Sequence, residues 1–352
     1  MGKLIYVPLE VIPSRYTGMA LEAMKKVADI IVSPDLSVAP PKAGQFLNFA
    51  GSCQFKAHQL VQIAQLFLDS KVQDGDAFLF ADLWFPGLEM VRYIADSVGV
   101  EIKIGAINHA GRADPTDFIN SFGSWADHVE HALHRCCDYI FVGSEFHRAQ
   151  VLEYLADNAY FSKKVVVTGQ PIHWEYVFEM LALAGEELGD PPRNGPIVWP
   201  HRPSEEKGIA DFRQLATAAP HINFAVLSGV ALSNNYYANS VAGLPNVKIL
   251  DNLPKHHYYW HLLNAKGWLS TAQQETFGYS LHEAMMLGIP IIAPHRACYP
   301  EISEKTEAFT CYTSLIDCIK RCEAPGPDIQ SCSNWVKNLS QVGERQRYYL
   351  CG

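Results

Sequence analysis

Short, almost wholly apolar runs recur along this chain, and stretches with helical spacing separate most of them. "KLIYVPL" precedes "GMALEAMKKVADI", and "AFLFADLWF" precedes "GLEMVRYIADSVG". "EIKIGAIN", "DYIFVGS", the helical "EFHRAQVLEYLADN" and "KKVVVTG" follow. Runs without a polar alternate face belong to strands covered on both sides, and strands joined by helices are parallel. The pattern breaks at "AGEELGDPPRNGP" (184–196), whose Pro and Gly mark a linker or domain edge. It restarts with "IVWPHR", helix "GIADFRQLATAA", "NFAVLSG", "VKILDN", helix "KHHYYWHLLNA", "GWLST", helix "GYSLHEAMMLG" and "PIIAP". The expectation is an α/β protein with two Rossmann-like, doubly wound domains facing a central cleft. Ligands in such sheets bind beyond the carboxyl ends of the strands. A length of 352 residues suits two cores. The predicted divisions are 1–172, 173–335 and a C-terminal helix, 336–352, within the helical "SNWVKNLSQVGERQRYYL", packing back on the first domain.

Charge narrows the function classes. The net charge is −9, and residues 1–172 hold 14 Lys/Arg against 19 Asp/Glu; subtraction from totals of 28 and 37 leaves 14 against 18. Neither half is basic, which argues against strong sequence-independent binding to long nucleic acid, although a local basic groove is compatible. "MGKLIYVPLEVIPSRYTGMA" has no long apolar stretch or small-residue cleavage site, and Tyr6 breaks the myristoylation pattern. No apolar run reaches bilayer length, so the expected location is the cytoplasm, a host's if the chain is viral. Nine cysteines without C-x-x-C read as reduced thiols. Cys318, Cys322 and Cys332 cluster without the paired spacing of a zinc knuckle, and no metal is expected. Neither half carries G-x-G-x-x-G after its first strand, against a nicotinamide-dependent dehydrogenase.

The most informative stretch is "QQETFGYSLHEAMMLGIPIIAP" (273–294), with Glu275 and Glu283 eight positions apart. "WLST" ends a strand, "AQQETFG" is the loop beyond it, and Gly278 opens a helix. The first amides of a helix lack internal partners and its dipole is positive there, which makes a phosphate site that glycine lets the ligand approach. Glu275 is placed to accept hydroxyl hydrogens from a sugar, and Glu283 both hydroxyls of a ribose. An amphipathic helix with one solvated glutamate would give the same pair by chance, so the surrounding spacings decide.

Those spacings, E-T-F-G-x-x-x-x-E-A-x-x-x-G-x-P-x-x-A-P, resemble the signature of the retaining glycosyltransferases of family 4, which have the GT-B fold. The resemblance implies a UDP- or GDP-sugar as co-substrate, no tightly bound cofactor and no metal. It implies donor contacts from Thr276, Phe277, Gly278, Tyr279 and Glu283, and a catalytic role for Glu275. "WPHRPSEEKG" supplies Arg202 and Lys207 where the family grips the donor diphosphate. Two fixed cations can stabilise the leaving group without a metal, although a solvated basic loop reads the same way. "GAINHAG" puts His109 just past a strand, where the resemblance implies a catalytic histidine facing the transferred sugar. Ser144 in "VGSEFHRAQVL" would cap a helix.

"PHRPSEEKGIADF", "QETFGYSLHEAMMLGIPIIAP" and "CYPEI", with Tyr299-Pro300-Glu301, are similar to the tRNA-queuosine mannosyltransferase family, and phage DNA glycosyltransferases are a second likeness. The first loop, "PLEVIPSRYTGMA", departs from the family's glycine-rich turn. Glu10, Arg15, Tyr16 and Thr17 fall there, and Asp82 and Trp84 sit in "ADLWFPG"; these are the candidate acceptor residues. Arg15 could hold a nucleic-acid phosphate and Tyr16 stack on a base, or the stretch is a simple turn. The expected acceptor is a modified base, a hydroxymethylpyrimidine in DNA or queuosine in tRNA. A polysaccharide or small-molecule acceptor and a non-catalytic GT-B subunit are the alternatives. In "KHHYYWH", His256, His257 and His261 could present metal ligands at a spacing of four, but a surface helix with aromatics toward the nucleotide is preferred.

Overall fold

The computed structural model describes residues 2–12, 15–39, 48–229, 231–233, 235–306, 308–326 and 333–352. Cys332 lies outside them. Among the described residues, eleven parallel strands form two sheets. The first has β1 (Leu4–Val7), β2 (Ile30–Ile31), β3 (Ala77–Phe80), β4 (Lys103–Ile107), β5 (Tyr139–Val142) and β6 (Val165–Val167), in the order β2-β1-β3-β4-β5-β6. The second has β7 (Ile197–Trp199), β8 (Phe224–Leu227), β9 (Val247–Leu250), β10 (Gly267–Leu269) and β11 (Ile291–Ile292), in the order β11-β10-β7-β8-β9.

Strand order reverses between β1 and β3 in one sheet and between β7 and β10 in the other. Crossovers leave such neighbours on opposite faces, so a crevice opens beyond their carboxyl ends. The central strands are apolar on both faces because helices cover both; β1, β3, β7, β8 and β10 are buried along their whole length. Trp199 and Trp268 fill the second sheet's two faces, and Phe78, Phe80 and Phe141 the first.

Several local expectations need correction. The run "AFLFADLWF" stops being strand at Phe80; Asp82 turns the chain by accepting the Trp84 amide at 3.1 Å. Residues 184–188 are not linker, because the helix Trp174–Leu188 continues through them to Gly189 at φ +73°. The helix Phe49–Leu68 had no sequence reading, and the helix expected over "GMALEAMKKVADI" ends at Lys25, so that Ile30 belongs to strand β2 instead. The C-terminal stretch is two helices, Ser333–Ser340 and Val342–Cys351. Leu339 of the first packs with Phe277 and Leu281, whereas Leu350 of the second packs with Leu4, Tyr6 and Phe141 under the first sheet. Arg347 pairs with Asp29 at 2.8 Å there. Cys318 and Cys322 are buried beside Phe212 and Leu215. No helix among the described residues is long and apolar enough to cross a membrane.

Candidate functional site

One half of the site is built from the loops beyond β7 and β10. Gly208 has φ +68°, and a Cβ there would fall 2.0 Å from the Thr271 carbonyl oxygen. Only glycine permits that approach. The Thr271 hydroxyl takes the Trp199 indole N–H at 2.9 Å and bonds the Lys207 and Gly208 carbonyls at 3.0 and 2.9 Å. The end of β10 thereby fixes the backbone that carries Lys207. Its ammonium lies 3.0 Å from Glu275 Oε2 and 3.3 Å from the Gln274 carbonyl. Gly278, at φ +79°, opens the helix Tyr279–Met286, and the Glu275 side chain lies against it, with Cγ 3.5 Å from where a Cβ would stand. A cation, a carboxylate and an amide-lined helix start therefore converge. Arg202 pairs with Glu206, whose carbonyl receives the Gln273 and Gln274 amides at 2.8 and 3.2 Å. Burial lowers the Arg15 pKa, and the nearby charge of Arg202 adds to the lowering.

Glu283 sits deeper, only 1% exposed. It accepts from Lys255 at 2.9 Å, Tyr259 at 2.8 Å and Tyr258 at 3.0 Å. A carboxylate has about four lone-pair positions, so three donors leave room for one more. These partners come from the helix Lys255–Asn264, whose buried tyrosines face Glu283. On the same helix the spacing of four does not bring the histidines together. His256 and His257 approach Glu187 at 3.2 and 3.0 Å instead, and His261 is not part of that group.

The other half of the site is a cavity of about 170 Å³ in the first domain, lined by Glu10, Arg15, Tyr16, Asp82, Trp84 and His109 among others. Thr17, also on its wall, accepts the Ile12 amide at 3.0 Å and shapes the first loop. The face of the helix Phe49–Leu68 organises this pocket through residues that sequence reasoning missed. Ser52 donates to Glu10 Oε1. Lys56 donates to Asp82 at 2.8 Å and the Trp84 carbonyl at 2.6 Å. Gln59 donates to the Pro8 and Val32 carbonyls at 2.8 and 2.9 Å. Steps of four and three place these side chains on one face. Three polar residues at that spacing on a buried helix face were the available signal.

Burial drives the His109 pKa down, so the ring is neutral near pH 7. Its Nε2 lies 2.8 Å from the Ala81 carbonyl, which only accepts, so Nε2 carries the proton and Nδ1 the lone pair. Burial works against ionised Asp82, but the Lys56 ammonium and the Trp84 amide outweigh it and hold that carboxyl below its usual range. Burial raises Asp117 to about 6 and Glu130 to about 7. Glu130 accepts the Trp84 indole N–H at 2.6 Å and the Arg112 amide at 3.1 Å.

A seam joins the halves. Tyr16 stacks on Tyr279, with ring centroids 4.1 Å apart, and lies 5.6 Å from the His109 ring. The Thr276 hydroxyl donates to the His109 carbonyl at 3.0 Å, and its carbonyl accepts from Ser144 at 2.6 Å. Ser144 also caps the helix Glu145–Leu155 by accepting the His147 amide at 3.2 Å. Phe277 is buried at the seam, stacked on His282 at 4.1 Å and pressed against Gly143. Thr276 and Phe277 thus turn their side chains to the seam and leave only backbone for a ligand. Glu301, of the Tyr-Pro-Glu tripeptide, accepts the Glu145 and Phe146 amides at 2.9 and 3.3 Å. The loop 274–279 therefore touches both halves.

No protein-family model matches the chain, and no curated protein matches its sequence. Solved structures do match its fold. Sucrose-phosphate synthase from Thermosynechococcus elongatus superposes with a TM-score of 0.64 at 14% identity, covering 100% of this chain and 95% of that one. HepE from Anabaena in complex with UDP-glucose gives 0.61 at 13%, covering 99% and 94%. The UDP-forming α,α-trehalose-phosphate synthase from Burkholderia vietnamiensis gives 0.62 at 12%, covering 99% and 98%. Two facing Rossmann-like domains, matched over nearly the whole chain to these neighbours, make this a GT-B fold.

Proposed function

We propose that the chain is a retaining glycosyltransferase that moves a sugar from a UDP- or GDP-sugar to a hydroxyl on a modified nucleic-acid base. The observation that carries the reading is the convergence of Lys207, Glu275 and the Gly278 helix start, joined through Thr276 to His109. Structural neighbours in complex with UDP-glucose support a nucleotide-sugar donor. In this reading residues 1–172 form the acceptor domain, 173–335 the donor domain, and 336–352 a tie back to the first.

Arg202, Lys207 and the first amides of the helix Tyr279–Met286 hold the diphosphate. Glu275 releases Lys207 to it and accepts sugar hydroxyls. Glu283 uses its fourth acceptor position for the ribose, and Tyr279 and the Thr276–Gly278 backbone flank the donor. His109 contacts the sugar from the opposite side. The acceptor hydroxyl attacks the anomeric carbon on the face the diphosphate leaves. The new C–O bond forms as the anomeric carbon–phosphate oxygen bond breaks, the bonding pair goes to the diphosphate, and the hydroxyl proton goes to a phosphate oxygen. Fixed cations stabilise that developing charge, and no metal takes part. A closed cleft limits loss of donor to water.

The acidic balance of both halves favours, as a second reading, an uncharged glycan or small-molecule acceptor. Incubation with UDP- and GDP-sugars plus hydroxymethylated DNA, queuosine tRNA or neutral sugars tests both readings. A hexose or pentose mass gain on digested nucleosides is expected. Gain on the neutral sugars alone would move the acceptor to the second reading, and no consumption of any donor would leave a non-catalytic GT-B subunit.

A further inference from the structure

We infer that the cavity beside His109 accepts the acceptor as a single uncharged ring bearing hydroxyl or amino hydrogens, that Glu10 Oε2 receives one of those hydrogens, and that rings carrying phosphate are excluded. This rests on the glycosyltransferase reading and adds to it the chemistry of the acceptor.

The first observation is an unused acceptor atom. Glu10 is 4% exposed, and it lines the cavity. Ser52 serves its Oε1, while Oε2 is buried and has no hydrogen-bond partner among the described residues. A buried carboxylate oxygen without a donor is costly, and native structures rarely keep one unless a ligand or water completes it. The donor that completes it must carry an O–H or N–H, which selects hydroxyl and amino groups.

The second observation is the charge around that atom. Glu10, Asp82 and Asp117 all face the cavity, against Arg15 and Lys56. The Lys56 ammonium is already engaged by Asp82 and the Trp84 carbonyl, at 2.8 and 2.6 Å. Three carboxyl groups against two cations leave the pocket with a net negative formal charge, so an anionic substituent meets weakly screened repulsion there. An uncharged ring meets no such penalty.

The third observation is size and shape. About 170 Å³ lies below the roughly 300–1,000 Å³ of sites for drug-sized ligands. That volume suits one ring, and Tyr16 and Trp84 on its wall supply aromatic surface for it. A longer acceptor would leave the rest of its length outside.

Calorimetry on the full chain saturated with UDP tests the inference, with D-glucose, 5-hydroxymethylcytidine and glucose 6-phosphate as probes. At least one of the two uncharged rings should bind, and glucose 6-phosphate should bind at least tenfold more weakly than that ring. Glu10→Gln, which keeps size but halves the acceptor capacity, should weaken the bound ring about tenfold. Affinity for UDP itself, measured separately, should not change. Preference for the phosphorylated ring, failure of both uncharged rings to bind, or an unchanged ring affinity in Glu10→Gln would each overturn the inference. The comparison of glucose with its phosphate needs no variant, so the inference stays testable if Glu10→Gln does not fold. Loss of UDP binding by the wild-type chain with ring binding intact would count against the donor reading and not against this one.

Discussion

Gly208 shows how one residue shapes the proposed donor side. Its positive φ and the 2.0 Å approach to the Thr271 oxygen leave no space for a Cβ. Gly208→Ala should cost roughly 1–3 kcal/mol in chemical denaturation, from backbone strain and displacement of the Lys207 loop. Glu130 governs a pH dependence. Burial raises its pKa from 4.5 to about 7, so the folded chain holds a proton that the unfolded chain has released between those values. The contribution of Glu130 to stability therefore falls as pH rises from about 4.5 to 7. Buried neutral His134, His147 and His282 act in the opposite sense, so the readout is a difference: the melting temperature of wild type minus that of Glu130→Gln should fall across that range. At this scale the sequence was legible where one loop brings the candidate residues together. Glu275 and Gly278 are three positions apart, and their juxtaposition follows from local geometry. Ser52 and Lys56 were not legible, because their partners Glu10 and Asp82 lie 42 and 26 residues away.

Among the elements, the helix Glu145–Leu155 is held at its start by two residues of different origin. Ser144 caps it from its own chain segment, and Glu301 caps it from across the seam. A carboxylate at a helix N-terminus is favoured by the free amides and the dipole. Glu301→Ala should lower stability by about 1 kcal/mol and loosen the seam, lowering kcat for transfer more than affinity for nucleotide. Equal loss in both would place Glu301 outside the closing motion. Most of the central strands were legible because they are apolar on both faces. The helix Phe49–Leu68 was not, because Ser52, Lys56 and Gln59 break the apolar stripe that marks a packed helix face. Strand β2 is two residues long and gives no periodicity to read.

At the scale of the whole molecule, two parallel sheets place their crevices so that the 274–279 loop meets the His109 segment. The fold was legible from the alternation of strands and helices, and the repeated pattern after the Pro/Gly break gave its duplication. The proposed acceptor cavity was legible only in part. Its loop residues sit near strand ends, but its back wall comes from a helix whose register only tertiary packing fixes. The central claim is that an anionic diphosphate is held between Arg202, Lys207 and the helix start at Gly278. Calorimetric titration of the intact chain with UDP and GDP, comparing wild type with Arg202→Ala and Lys207→Ala, tests it most directly. Hydrogen bonds to charged groups contribute about 1.5–3 kcal/mol, so each variant should bind its preferred nucleotide roughly ten- to a hundredfold more weakly. Binding as tight in both variants as in the wild-type chain, or no binding of either nucleotide by wild type, would contradict it.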